Sequence, residues 1–73
     1  MYKYELKLEN GNVVVCVESK NLIISKKLDQ QYTNGTKEFI YCVDENQNFL
    51  IIPRKKIVYL KKYSEEVNGS KNQ

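Results

Sequence analysis

The chain of 73 residues has no histidine and no tryptophan, and it has only two cysteines, one proline and three glycines. Without histidine the most common general base of enzymes is missing, and two cysteines cannot form a four-ligand zinc site from thiolates and imidazoles. With so few glycines the chain carries no glycine-rich phosphate loop. We therefore predict no catalytic residues, no metal ligands and no cofactor, and we predict that the protein is not an enzyme.

Long apolar runs are also missing. No segment approaches the roughly 18 apolar residues of a membrane span, and residues 1–10 lack the apolar core of a signal peptide. We therefore expect a cytoplasmic protein with no membrane partner. Cys16 and Cys42 each lie inside an apolar run, where we expect free thiols that act as small core side chains. The alternative, a single disulfide, stays open.

The sequence does contain a series of short apolar segments separated by turn residues. Residues 2–9 alternate between apolar and charged side chains, as in a half-buried β-strand. Asn10-Gly11 follows and favours a two-residue type I′ turn, which would place Leu8 opposite Val13. Cys16 would then lie on the outer face of the hairpin. Further strands are predicted at residues 12–19, 22–25, 39–43, 48–52 and 56–63.

This pattern predicts an all-β fold, an antiparallel meander of five to six strands that forms a small barrel or a strongly bent sheet. Residues 1–63 would form this domain, and the polar residues 64–73 are predicted to be a disordered tail. Residues 26–37 are predicted to be a long loop, with a short helical turn left open. Strands that are apolar on both faces leave surface to cover, so we also expect a homo-oligomer.

Two motifs of the chain resemble those of the Sm-like family. The segment Leu8-Glu9-Asn10-Gly11 is similar to the turn of the family's first motif. Residues 51–60, in which an apolar segment, an arginine and a second apolar segment follow each other, resemble its second motif. The chain departs from that motif at Lys55, where the family has glycine after arginine. The resemblance implies a small SH3-like or Sm-like barrel that assembles into a ring and binds single-stranded RNA.

Residues 49–63 carry five positive charges and no acidic side chain, and tyrosines lie among them. Cations neutralise phosphates and aromatic rings stack on bases, so this composition favours a site for single-stranded nucleic acid or a nucleotide. Arg54 is the one member able to hold a phosphate through two parallel hydrogen bonds. The candidate ligand-binding residues are Arg54, Lys55, Lys56, Lys61, Lys62, Tyr59, Tyr63 and Tyr32.

Other interpretations of the same features stay open. Lysines on an edge strand prevent unwanted strand pairing, and the basic residues would then form a solvated edge. A small protein without catalytic residues can also be an inhibitor or adaptor, of the kind that phages and mobile elements carry. It would cover a site on a protein target through an apolar face or an exposed edge. The loop 26–37 is a further candidate surface, through Gln30, Gln31, Tyr32, Asn34 and Thr36.

Overall fold

The computed structural model describes residues 1–63, and the tail predicted at 64–73 lies outside the described residues. The strands are β1 (Tyr2–Leu8), β2 (Val13–Glu18), β3 (Phe39–Asp44), β4 (Phe49–Pro53) and β5 (Ile57–Lys62). A 3₁₀ turn (Ile24–Lys26) and one helix, α1 (Leu28–Asn34), separate β2 from β3, and a second 3₁₀ turn (Arg54–Lys56) joins β4 to β5. The predicted all-β fold is confirmed. None of the helices in this part of the chain is long and apolar enough to cross a membrane.

The strands form one antiparallel sheet in the order β4-β3-β2-β1-β5. β4 and β5 are therefore the two edge strands, although they follow each other directly in the chain. In a flat sheet these edges would lie about 19 Å apart, given a spacing of about 4.8 Å between strands. The turn Arg54–Lys56 cannot cover that distance, because a 3₁₀ helix rises about 2 Å per residue. The sheet is therefore strongly curved into an open barrel.

The β1–β2 hairpin differs by one residue in register from the predicted hairpin. Lys7 pairs with Val13, whereas the sequence predicted Leu8 at that position. Leu8 accepts a hydrogen bond from the backbone N–H of Gly11 and donates its own N–H to the carbonyl oxygen of Asn12. The loop thus has three residues rather than two. A type I′ turn requires a positive φ at both of its central residues. Gly11 has a φ of 94°, but Asn10 does not have a positive φ.

This shift in register moves Cys16 from the predicted outer face into the core. On β1, Tyr4 pairs with Cys16, and both side chains are fully buried. The predicted face of Cys16 was wrong because a one-residue change in the turn exchanges the two faces of a strand. The prediction that Cys16 is a free thiol within the core is confirmed. The buried apolar side chains of the described residues are Tyr4, Leu6, Cys16, Leu28, Ile40, Ile52 and Ile57.

The strand predicted at residues 22–25 does not form. Ile24 begins a 3₁₀ turn instead, and Ile23 and Ile24 are both exposed. A helix of seven residues, α1, follows, where the sequence predicted a long loop and left a short helical turn at residues 26–31 open. Its first N–H, on Leu28, donates to the buried carboxylate of Glu18 at 2.6 Å. A carboxylate on β2 therefore stabilises the first turn of α1. This contact joins residues that are ten positions apart in the sequence, so helical periodicity cannot reveal it.

Glu18 also accepts a hydrogen bond from the hydroxyl of Tyr4, at 3.1 Å. Burial, together with the Glu18 carboxylate, raises the pKa of Tyr4 well above its ordinary value. One buried carboxylate therefore joins three elements, because it contacts β1 and α1 from its place on β2. The Glu18 carboxylate also provides hydrogen-bond acceptors for two buried polar groups, the hydroxyl of Tyr4 and the N–H of Leu28.

The helix α1 also completes the sheet where β2 and β3 diverge. These two strands pair at only two positions, around Val17 and Val43. Beyond them, Gln31 accepts a hydrogen bond from the N–H of Tyr41 and donates one to the carbonyl oxygen of Tyr41, both at 2.9 Å. A side-chain amide thus replaces the neighbouring strand, and β3 keeps its backbone groups paired.

Candidate functional site

Arg54, the predicted phosphate-binding residue, makes its hydrogen bonds within the fold. Its Nε donates to the carbonyl oxygen of Lys37 and its Nη1 to that of Tyr32, both at 3.0 Å. The guanidinium also lies close to Gly35, where a Cβ would come within 2.6 Å of Nη2. Arg54 therefore links the turn that follows β4 to the end of α1 and to the segment just before β3. The ring of Tyr32 packs against the core.

The two lysines beside Arg54 differ in their contacts. Lys56 forms an ion pair with Glu9 in the β1–β2 loop, with 3.0 Å between Nζ and Oε1. Lys55 is exposed. An exposed ion pair contributes at most about 1 kcal/mol to stability, but it still neutralises part of the local positive charge. The basic triplet is therefore weaker as an anion site than its sequence indicates.

Lys62 lies over the ring of Tyr2, which is not among the site residues predicted from the sequence. Its Nζ is 4.0 Å from the centroid of Tyr2 and 4.0 Å from a carboxylate oxygen of Asp29. Lys27 and Lys20 approach the same ring, at 5.1 and 5.9 Å. Three ammonium groups therefore gather around Tyr2, and among residues 1–63 the carboxylate of Asp29 lies beside Lys62. Cation–π contacts of this kind are electrostatic attractions between an ammonium group and the face of the ring.

The predicted tyrosines of β5 surround an acidic residue. Tyr59 and Tyr63 donate their hydroxyl groups to the two carboxylate oxygens of Glu5, at 2.7 and 2.8 Å. These hydrogen bonds lower the pKa of Glu5 and raise the pKa values of both tyrosines. Lys61 lies 5.3 Å above the ring of Tyr63. The carboxylate at the centre of this group opposes the binding of a phosphate there.

The predicted site residues thus make their contacts at separate places: at the end of α1, at the β1–β2 loop, around Tyr2 and around Glu5. Across residues 1–63, no three side chains of histidine, cysteine, aspartate or glutamate are grouped closely enough to hold a metal ion. The polar residues of α1 are engaged in the same way. Asn34 donates to Gln30 at 2.7 Å, and Gln31 is bonded to β3.

A different surface is formed by the outward side chains of β3 and β4. Four of them are apolar or aromatic and exposed, and together we call them the apolar face: Phe39, Tyr41, Phe49 and Ile51. Tyr41 lies directly opposite Ile51 in the register, and its ring stacks on that of Phe49 with 6.1 Å between centroids. Phe49 and Ile51 on β4 are the more exposed pair, at 65% and 55%. Side chains of this size rarely stay in contact with water together unless they bind something.

A groove of about 1250 Å³ adjoins the apolar face where β2 and β3 diverge. Six of the residues that line it are Val17, Leu22, Gln31, Tyr41, Cys42 and Phe49. Its lining therefore joins side chains of the apolar face to the helix and to a cysteine near the core.

The backbone of β4 is unpaired on the side away from β3. Asp44 donates its N–H to the carbonyl oxygen of Asn48, and Arg54 donates its N–H to that of Glu38. Hydrogen-bonded pairs alternate along an antiparallel ladder, so the backbone groups of Phe49 and Ile51 point away from β3. No second strand pairs with β4 in the described part of the chain. Two N–H groups and two carbonyl groups are therefore open beside the apolar face.

The side chains of the apolar face are not among the residues predicted individually from the sequence, although a signal for them exists. The segments 39–43 and 49–52 are apolar at successive positions, so each strand had to be apolar on both of its faces. Which face is exposed depends on the order of strands in the sheet, and β4 is at the edge. Strand order follows from long-range pairing, which a local pattern does not contain.

No protein-family model, curated protein or solved structure matches the chain. The protein is a small all-β protein with one curved antiparallel sheet, and its likeness to the Sm-like family remains a resemblance of short motifs. The candidate site is therefore defined by its geometry alone.

Proposed function

We propose that the protein is a non-enzymatic binding module that receives an extended segment of a partner protein as an added strand along β4. The observation that supports this proposal is the coincidence of an unpaired backbone edge with the apolar face. Backbone hydrogen bonds to Phe49 and Ile51 would supply affinity, and contacts with the apolar face would supply specificity. The function corresponds to that of a protein-binding inhibitor or adaptor.

The geometry of β4 defines the chemistry of the partner segment. Side chains at alternate positions of an added strand lie on the same side as Phe49, Tyr41 and Ile51. Those positions should therefore be apolar or aromatic. β4 has no charged side chain of its own, so its pairing would not depend on an ion pair. The segment would be short, because Pro53 has no N–H and ends the edge.

A second copy of the chain is one source of such a strand, and it would make the protein the homo-oligomer that the sequence predicts. Light scattering over a range of protein concentrations distinguishes this source from a foreign partner. If copies pair through β4, the mass rises with concentration and Ile51→Lys returns it to that of a single chain. If the protein stays a single chain throughout, the added strand has to come from another protein.

The proposal can be tested with a displayed library of random peptides selected on the immobilised protein. We expect enrichment of peptides with apolar residues at alternate positions, and we expect Phe49→Ser and Ile51→Ser to weaken binding of the selected peptides at least tenfold. Val58→Ser is the matched control, because Val58 on β5 is equally exposed, at 59%. Equal losses in the control, or no enrichment of such peptides, would contradict the proposal.

A second candidate function is binding of single-stranded nucleic acid or a nucleotide, as the basic residues predict. The position of Lys62 and Lys27 over the ring of Tyr2 supports it, as does the exposure of Lys55. Fluorescence anisotropy with a labelled oligothymidine and with ATP tests it directly. The candidate predicts binding that weakens steeply between low and physiological salt. Binding that is absent at low salt, or unchanged by salt, would exclude it.

A further inference from the structure

The two cysteines, which are far apart in the sequence, meet between β2 and β3. The Sγ atoms of Cys16 and Cys42 are 3.0 Å apart, and both residues are free thiols. Cys16 is fully buried, whereas Cys42 is partly exposed and lines the groove beside the apolar face. A disulfide has a sulfur–sulfur bond of about 2.05 Å, so closing the pair requires a movement of about 1 Å.

We propose that Cys16 and Cys42 are a redox-active pair that forms a reversible disulfide, with a low-molecular-weight disulfide such as oxidised glutathione as the oxidant. The roles of the two thiols differ because their surroundings differ. Cys42 is the residue that the oxidant reaches first, and Cys16 is the residue that completes the bond.

The hydrogen bond between the two sulfur atoms favours this division of roles. When the thiol of Cys16 donates to the sulfur of Cys42, it lowers the pKa of Cys42. The same hydrogen bond, together with burial, raises the pKa of Cys16. The thiolate is the form of cysteine that attacks a disulfide, so the partly exposed Cys42 is the nucleophile.

The reaction proceeds by two thiol–disulfide exchanges. In the first, the Cys42 thiolate attacks one sulfur of the oxidant, a mixed disulfide forms, and one small thiolate leaves. In the second, Cys16 loses its proton and attacks the Sγ of Cys42, and the second small thiolate leaves. The two protein thiols are oxidised to one disulfide, and the oxidant is reduced to two small thiols.

The position of the pair gives the disulfide a structural consequence. β2 and β3 pair at only two positions, Cys16 with Asp44 and Val17 with Val43. Elsewhere α1 joins the two strands, because Leu28 bonds to Glu18 on β2 and Gln31 bonds to Tyr41 on β3. A covalent bond at this place would hold the β3–β4 hairpin to the rest of the sheet. Reduction would leave that junction dependent on a few hydrogen bonds, so the pair is placed to control how firmly β4 is held.

The experiment is incubation of the reduced protein with oxidised glutathione, followed by mass spectrometry of the intact chain under non-reducing conditions. We expect the mass to fall by two hydrogen atoms, with no covalent dimer, and dithiothreitol to restore it. Cys16→Ser should stop at the mixed disulfide on Cys42, because the second thiol is missing. Cys42→Ser should react at least tenfold more slowly, because only the buried thiol remains.

Three outcomes would overturn the proposal: no change in the mass of the natural chain, covalent dimers in place of an internal disulfide, or equal reaction rates for the two single variants. Circular dichroism of each variant before oxidation shows whether it is folded. If a serine variant is unfolded, alanine at the same position replaces it, since alanine adds no polar group to the core. The natural chain by itself still decides between an internal disulfide and none.

Discussion

β4 and β5 are the two edge strands of one sheet, separated by three residues in the chain, and they differ in how their edges are protected. β5 ends in Lys61 and Lys62, and lysine is a common device against the pairing of strand edges. β4 carries no charged side chain, and Phe49 and Ile51 are exposed on it. The comparison indicates that pairing is prevented at β5 and left possible at β4.

The same comparison changes the interpretation of the basic residues. The sequence predicts a binding site on them. In the structure Arg54 donates hydrogen bonds to the carbonyl oxygens of Lys37 and Tyr32, and Lys61 and Lys62 lie over tyrosine rings. An uncharged edge is costly to leave exposed because it promotes aggregation. The proposed function rests on this open edge, because an added strand from a partner would cover it.

The largest expected effect concerns the turn that connects the two edges. Arg54→Ala removes two hydrogen bonds from a charged group to the carbonyl oxygens of Lys37 and Tyr32. We expect the free energy of unfolding to fall by about 3 kcal/mol, since hydrogen bonds to charged groups contribute about 1.5 kcal/mol or more each. Urea denaturation measures it. Lys55→Ala is the control and should change stability by less than about 0.5 kcal/mol.

The next effect comes from giving β4 the protection that β5 already has. Ile51→Lys should lower the affinity for a selected peptide by about 2 kcal/mol, or about thirtyfold, because it places a charge in the middle of the open edge. Stability should change little, because Ile51 is 55% exposed. Calorimetric titration measures the affinity. If Val58→Lys on β5 weakens binding as much, the two edges do not differ in function.

A smaller effect is expected where a side chain, rather than a strand, covers β3. Gln31→Leu keeps a side chain of similar size but removes both hydrogen bonds to Tyr41. We expect a loss of about 1 kcal/mol in the free energy of unfolding, and faster hydrogen exchange at the Tyr41 amide. Gln30→Leu on the same helix provides the comparison. An unchanged exchange rate at the Tyr41 amide would show that Gln31 does not protect this N–H in solution.

The two hairpin loops allow an opposed pair of substitutions. In the β3–β4 loop the backbone N–H of Asp44 donates to the carbonyl oxygen of Asn48, and the backbone N–H of Gln47 donates to the carbonyl oxygen of Asp44. The β1–β2 loop at Gly11 has the same pair of backbone hydrogen bonds. Gln47 has a positive φ of 67°, where glycine is unstrained. Gln47→Gly should therefore raise the free energy of unfolding by up to about 1 kcal/mol. Gly11→Ala should lower the free energy of unfolding by a similar amount. Thermal denaturation of both variants measures the two changes, and changes in the same direction would contradict the prediction.

The smallest effect concerns the tyrosines that close β5. Because two hydroxyl groups stabilise its charged form, Glu5 titrates below the ordinary range, and the stability it contributes is lost as pH falls through that lowered pKa. Tyr59→Phe and Tyr63→Phe should each raise the pKa of Glu5, as measured by NMR of the carboxyl carbon. Tyr41→Phe should have no such effect. A pKa unmoved by both β5 variants would mean that the hydrogen bonds are absent in solution.

The sequence predicted those parts of the fold that local patterns specify. The alternation in residues 2–9 and the apolar segments 39–43 and 48–52 correspond to β1, β3 and β4. Register and helix formation were beyond it for physical reasons. The register of β1 and β2 depends on whether one residue, Asn10, adopts a positive φ. The helix α1 depends on a carboxylate, that of Glu18, supplied by another element.

The candidate site was predictable only in kind. Two-sided apolar strands indicated that some face or edge would need a partner, but no local pattern shows which strand carries that face or edge. The position of β4 at the edge follows from the pairing of β5 with β1, which joins the two ends of the domain. The meeting of Cys16 and Cys42 depends on the same long-range order, because it follows from the pairing of β2 with β3.

The most direct test of the open edge is hydrogen exchange of single backbone amides, followed by NMR with and without a selected peptide. Tyr63 donates its N–H to the carbonyl oxygen of Lys3, so the outward amides of β5 are those of Leu60 and Lys62. We predict that the peptide slows exchange at Phe49 and Ile51 and leaves Leu60 and Lys62 unchanged. Protection at Leu60 and Lys62, or at none of the four amides, would contradict the account.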